Sequence, residues 1–253
     1  MQSLAINESL NQSLEDKKIL FLGDQSLIPF LLAHNKQITK VVCLAKENHV
    51  QRFYEEFSND YQDKIEIIKN LEDVKHDSFD LIIGEPYFNS SDLPWHHLHF
   101  WYLISQIKQN ISLDKTVLIP KIAKLKCIPI EFDDLWKIRS EVGDDVEGFN
   151  LIEFDKLIQK AISLSDAVIE SHFLWEYPGK AIANQPILLF TFDFETSINF
   201  NDKFSCEFSL DINLEGKLYF AIVFWVEYFL TENIIINTGP VDVIQNGKYI
   251  EWN

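Results

Sequence analysis

Carboxylates and imidazoles are the side chains best suited to gripping cations or moving protons. Their most suggestive run here is Phe79 to Tyr102, FDLIIGEPYFNSSDLPWHHLHFWY. Residues Phe79–Ile83 read as a buried strand with no charge after Asp80. Gly84 is expected to break it, which presents Glu85 at the strand's carboxyl end. In an open α/β sheet ligands bind at that end, so Glu85 is a candidate catalytic or binding acid. The competing reading is an ordinary loop acid, solvated or capping the next segment. His96, His97 and His99 follow closely. A His-x-x-His pair can share one helical face, but no Cys or carboxylate stands beside it at ligand spacing, so no metal site is expected. With Trp95, Phe100, Trp101 and Tyr102, these histidines read instead as a packed aromatic–imidazole cluster on a helix over the sheet edge. No GxSxG or comparable nucleophile turn exists. Cys43, Cys127 and Cys206 are widely spaced and odd in number, which supports neither a disulfide framework nor a zinc site. Arg139 and Lys180 read as surface or barrel ion-pair residues.

Short apolar runs must position these groups. KILFLG (18–23), KVVCL (40–44), KIEII (64–68), FDLII (79–83) and KTVLIP (115–120) alternate with helical patterns at Ser26–Ala33 and Glu47–Glu56. Strands separated by helices imply βαβ units and a mostly parallel, Rossmann-like sheet over 1–120. After Pro120 the texture changes to alternating runs: 124–132, 186–194, 203–212 and 217–229. These read as an antiparallel β-barrel or sandwich over 121–253. The fold class expected is therefore α/β plus all-β. Asp155–Ser163 carries apolar residues at 157, 158, 161 and 162, an amphipathic helix opened by an acid.

Composition narrows the function. The 253 residues include 39 acids against 22 bases, a net charge of −17. That argues against nucleic acid, whose phosphates reward Lys and Arg, and against anionic membrane. It is compatible with a basic protein or peptide partner, or with a solvated surface that has none. Eight glycines leave little supply for nucleotide-cradling loops. The start, MQSLAINESLNQSLEDKK, has no apolar signal core, and the longest apolar run, Leu218–Val226, spans nine residues. A soluble cytoplasmic or nuclear protein is expected.

The strings GEPYF (84–88), LPWHHLHFWY (93–102), FDDLWKIRS (132–140), GFN (148–150) and LWEYP (174–178) resemble the protein arginine methyltransferase family. The likeness is greatest to the second, C-terminal module of a tandem-module, monomethylating member, and it runs from about Ala5 to the last residue. It implies a Rossmann-like half-domain that binds S-adenosylmethionine, then a β-barrel with an inserted helical dimerisation arm at about 150–185. In the family such an arm packs on the cofactor domain of a second methyltransferase module, making a dimer or pseudo-dimer. The residues themselves equally allow the arm to pack on its own barrel. The family barrel continues with further strands, so an incomplete barrel is expected here.

The family's cofactor turn, D-x-G-x-G-x-G, falls on Phe21, Gly23, Gln25 and Leu27, and only Gly23 survives. Side chains at 25 and 27 would intrude or demand a different backbone. The acid that bonds the ribose hydroxyls falls on Ala45, with Glu47 two residues on. Losing that acceptor costs about 1.5–3 kcal/mol. Active members grip the substrate guanidinium with two glutamates. Glu85 matches the first, but no Glu stands near Asp92–Pro94 for the second, and only Trp252 remains of the Thr-His-Trp loop. The resemblance thus implies a degenerate structural and substrate-holding half, with weak or absent cofactor binding and basic, arginine-rich protein substrates. The alternative it leaves is an active methyltransferase that uses Glu85.

Overall fold

Runs rich in Val, Ile and Leu become strands because such side chains pack on both faces of a covered sheet. The computed structural model describes residues 17–61, 63–74, 79–85, 93, 96, 98–143, 146–165, 167, 169–199, 201–209, 221–241 and 244–252. In its first half β1 (Lys17–Leu22), β2 (Ile38–Leu44), β3 (Ile65–Ile68), β4 (Leu81–Gly84) and β5 (Val117–Ile119) alternate with α1 (Ile28–His34), α2 (Asn48–Phe57) and α3 (His99–Asn110). The sheet order is β3-β2-β1-β4-β5, and every pairing is parallel. The chain winds outward from β1 through β2 to β3, then crosses back to lay β4 and β5 on the other side. The winding reverses between β1 and β4, and such a switch point opens a crevice at the carboxyl ends of the strands. Leu22 pairs with both Leu44 and Gly84. Gly23, Ala45 and Glu85 are therefore the next residues on three adjacent, level strands.

The interior of this half is β1 itself: Ile19, Leu20, Phe21 and Leu22 have no exposed surface. Each such side chain contributes about 1.5–3 kcal/mol of burial. α1 covers the sheet with Ile28, Phe30, Leu32 and Ala33, and α2 with Val50 and Tyr54. One expectation needs correcting here. The strand takes in Gly84 as its last residue and stops there, and a ring edge of Phe100 lies where a Cβ would stand. Glycine is used at this point for close helix–strand approach. The helix from the aromatic stretch starts only at His99. Tyr87, Phe88, Asp92, Pro94, Trp95 and His97 lie outside the described residues.

The second sheet contains β6 (Ile122–Phe132), β7 (Gly179–Ala181), β8 (Ile187–Asp193), β9 (Ala221–Phe229) and β10 (Ile235–Asn237). Its order is β10-β9-β6-β7, with β8 also on β6. The β9–β10 and β6–β7 pairs are antiparallel. The expected succession of a Rossmann-like half and an antiparallel, half-barrel sheet is what the chain forms. β7 and β10 went unread in the sequence, since three residues are too few to show alternation. Conversely, no strand forms over 203–209, the described part of the expected strand at 203–212. Phe204 stacks on Trp101 with ring centroids 5.7 Å apart, so aromatic contact holds this segment in place of a ladder.

The chain divides into two compact units. One gathers residues up to Lys126 with Leu188–Phe208 and Trp225–Thr238; the other gathers Cys127–Ile187, Ser209–Phe224 and Gly239–Asn253. In the first, the Trp101 indole N–H donates to the Thr196 carbonyl at 2.8 Å. In the second, Arg139 forms an ion pair with Glu170. Lys180 lies over the Tyr249 ring, 4.8 Å from its centroid. The second unit also carries α4 (Ile152–Ser165), longer at both ends than the 155–163 stripe.

Candidate functional site: the switch-point crevice and the outward arm

At the carboxyl ends of β1, β2 and β4 the three expected positions come together. Gly23 is packed tightly: a Cβ there would come within 2.9 Å of the Phe21 ring and 3.6 Å of the Glu85 Cβ. Phe21 thus lays its ring against the turn at the position where the family carries an acid. Ala45 is 1% exposed, and its N–H donates to the Ile68 carbonyl at 2.8 Å. Its methyl group can accept nothing. Glu47 is exposed, precedes α2 and makes no side-chain cap. It does not stand in for the missing ribose acid.

Of the two outcomes expected for Gln25 and Leu27, intrusion is not the one seen. Neither intrudes on the turn; both face solvent, with Leu27 61% exposed. Two residues that the sequence did not single out hold the turn itself. Tyr54, fully buried on α2, donates its hydroxyl to the Asp24 carbonyl. Ser26 is itself buried, and its Oγ accepts the Ile28 N–H at 3.1 Å. Tyr54 falls on the same helical stripe as Val50, so periodicity reveals its burial but not where its hydroxyl goes.

Burial pushes the Glu85 carboxyl above the ordinary glutamate range, with Ser26 opposing that rise. Burial likewise pushes up the Tyr54 hydroxyl, with Cys43, Glu85 and Asp24 adding to the effect. The Cys43 thiol is raised by burial and is unreactive as a nucleophile. At His99 desolvation and then Lys46 lower the imidazole, with Asp24 opposing, so the neutral ring is favoured. Among the described residues no group of three or more His, Cys, Asp or Glu is placed to hold a metal ion. Asp92 and Pro94, where the second glutamate would fall, lie outside the described residues; Trp252 bridges Pro240 in the second unit.

α4 is built the other way round from an ordinary surface helix. Its inward anchor is polar: Asp155, 5% exposed, accepts the Val142 and Gly143 N–H groups at 3.1 and 2.8 Å. One turn on, Gln159 donates to the Arg139 carbonyl at 2.8 Å. Phe154, Leu157, Ile158 and Leu164 recur at helical spacing, yet all are exposed, Leu157 by 68% and Leu164 by 78%. The stripe therefore does not pack on its own unit, which removes that alternative.

The sequence pattern of the arginine methyltransferase oligomerization subdomain matches residues 121–246, the stretch that carries α4. The chain belongs to the protein arginine methyltransferase family. Protein arginine N-methyltransferase 7 of Gallus gallus is 34% identical over 94% of this chain, and that of Danio rerio 31% over 94%. The chain spans about a third of the length of these relatives, 35% in both cases. Among solved arginine methyltransferases, the Trypanosoma brucei PRMT1 enzyme-prozyme heterotetrameric complex with AdoHcy superposes with a TM-score of 0.65 at 16% identity, covering 98% of this chain and 77% of that one. A PRMT6-SAH crystal structure gives 0.62 at 12%, covering 98% and 81%. At those identities the likeness is one of fold.

Proposed function

We propose that this chain is a binding and structural module of an arginine methyltransferase, a half that completes a paired architecture while its own cofactor crevice stays shut. The observation that carries the reading is the state of the three level strand ends. They offer a ring at Phe21, a methyl at Ala45 and a single half-buried carboxylate at Glu85, where S-adenosylmethionine would need an acid, glycines and open backbone. Methyl transfer is catalysed mainly by positioning, so a module that cannot seat the methyl donor contributes nothing to that step. In the solved relatives AdoHcy or SAH is bound; here the residues do not fit that group.

The outward stripe of α4 supports the second part of the reading, a second methyltransferase module as partner. A contiguous exposed apolar row marks an interaction surface. The first unit carries apolar surface of the matching kind in Leu27 and Leu31, which lie one helical turn apart, and in Phe57. A module seated on each of these surfaces would give a two-fold, pseudo-dimeric pairing. The net charge of −17 favours basic, arginine-rich substrates for the assembled pair and a soluble cytoplasmic or nuclear setting. Titration calorimetry of the chain with S-adenosylmethionine and its demethylated product tests the reading. No heat of binding is expected at micromolar concentrations, and a micromolar dissociation constant would end it.

A further inference from the structure

Hydrophobic burial alone would roll α4 the other way, with its apolar row toward its own unit and its polar row toward water. Instead the three least exposed residues of the helix are Asp155, Gln159 and Ile162, at helical spacing, and the first two are polar. The contacts on that side show what holds the helix. The Asp155 carboxylate accepts two successive backbone N–H groups, Val142 on one oxygen at 3.1 Å and Gly143 on the other at 2.8 Å. Hydrogen bonds to an ionised acceptor are about twice as strong as neutral ones. Asp155 also lies in the first turn of α4, where the helix dipole favours a negative charge. One turn on, Gln159 donates to the Arg139 carbonyl at 2.8 Å. The Arg139 guanidinium in turn pairs with Glu170, whose other oxygen is 3.3 Å from the His172 Nε2. The loop before the helix is thus tied both to α4 and to the segment that follows it.

We propose that Asp155 is the positioning residue of α4: its grip on Val142 and Gly143 fixes the apolar row outward in the lone chain, so a partner module meets a docking element already formed. The use of the row rests on the reading of α4 as the pairing surface; the grip itself does not. At 5% exposure the Asp155 side chain is shielded from any partner, so it acts only through the pose of the helix. Gly143 adopts φ +109°, open to glycine and rarely to other residues, so the loop can turn directly after the gripped amides. The contrary arrangement is a helix that orders only on docking and loses affinity to the entropy of ordering.

The test uses the whole chain without a companion, as wild type, Asp155→Asn, Asp155→Ala and Gln159→Ala. Amide exchange by NMR follows Val142, Gly143 and α4, with the buried Cys127, Ile128 and Ile130 of β6 as an internal reference. Trypsin reads the arm a second way, because Lys156 and Lys160 are exposed on α4 and cleavage there tracks the population of the opened helix. Wild-type α4 should be protected. Asp155→Asn keeps the shape and one oxygen but loses the charge. It should speed exchange at Val142, Gly143 and α4, and cleavage at both lysines, about tenfold, with β6 unchanged. Asp155→Ala should go further, and Gln159→Ala should give about threefold, the loss of one neutral bond. Wild-type α4 exchanging like an unfolded peptide would overturn the proposal, as would an Asp155→Asn chain as protected as the wild type. A loss of protection spread evenly over β6 would assign Asp155 to overall stability and equally reject the grip. Leu157→Glu, which probes the pairing surface, should leave exchange at Val142 and Gly143 as it is. Unaltered association in that variant would remove the pairing surface while the grip stood.

Discussion

Glu85 is the acid that the family resemblance singles out, and its environment sets a sign that can be measured. Burial raises its carboxyl above the ordinary value of 4.5. The folded chain therefore holds this proton more tightly than the unfolded chain does. Between the ordinary value and the raised one the native state carries more protons, so stability falls as pH rises through that window. Glu85→Gln removes the ionisation and keeps the size of the side chain. Its Tm should exceed that of the wild type near neutral pH, and the difference should close as pH falls below 4.5. Melting curves in a buffer series measure this directly, and a constant difference across pH would refute it. Leu27 and Tyr54 teach the complementary lesson. Glycine loss in the sequence drew attention to position 27, whose side chain turned out to face solvent. The turn is held instead by a tyrosine whose hydroxyl crosses to a carbonyl 30 positions away in the chain.

Helix α4 poses its question at the scale of an element. Leu157 is 68% exposed, so charging it should cost the fold no more than about 0.5 kcal/mol. If the stripe is an interface, Leu157→Glu should weaken association with a companion module by about 2 kcal/mol, as truncation of a central interface residue does. Melting and sedimentation with the companion separate the two effects. Equal association of mutant and wild type would take the stripe out of the interface. Legibility also differed by element. The five parallel strands were visible because each is a short, mostly apolar run, and the register that levels Gly23, Ala45 and Glu85 follows from their pairing. α4 showed its amphipathic period, but period says nothing about which face points inward. That was decided by Asp155, whose carboxylate is satisfied by two backbone N–H groups and so can be buried. Residues 203–209 alternate like a strand, yet Phe204 finds Trp101 before it finds a ladder partner.

At the scale of the whole molecule, charge is the dominant property. A surplus of 17 negative charges extends an attraction for basic chains to about 10 Å at 0.1 M salt and to only about 3 Å at 1 M. An arginine- and glycine-rich peptide should therefore bind with an affinity that drops about tenfold between low and high salt, read by fluorescence anisotropy. Salt-independent binding would place recognition in apolar contacts instead. The helix with its polar side tucked in also bears on how such a protein is made. A chain released from the ribosome with that greasy ribbon uncovered would be prone to clumping until its mate arrived. Tethering the mate on the same polypeptide would hold it at millimolar effective concentration from the outset. If the chain is one half of such a pair, fusion into one gene would protect the newborn protein as much as it would fix the ratio of the two halves.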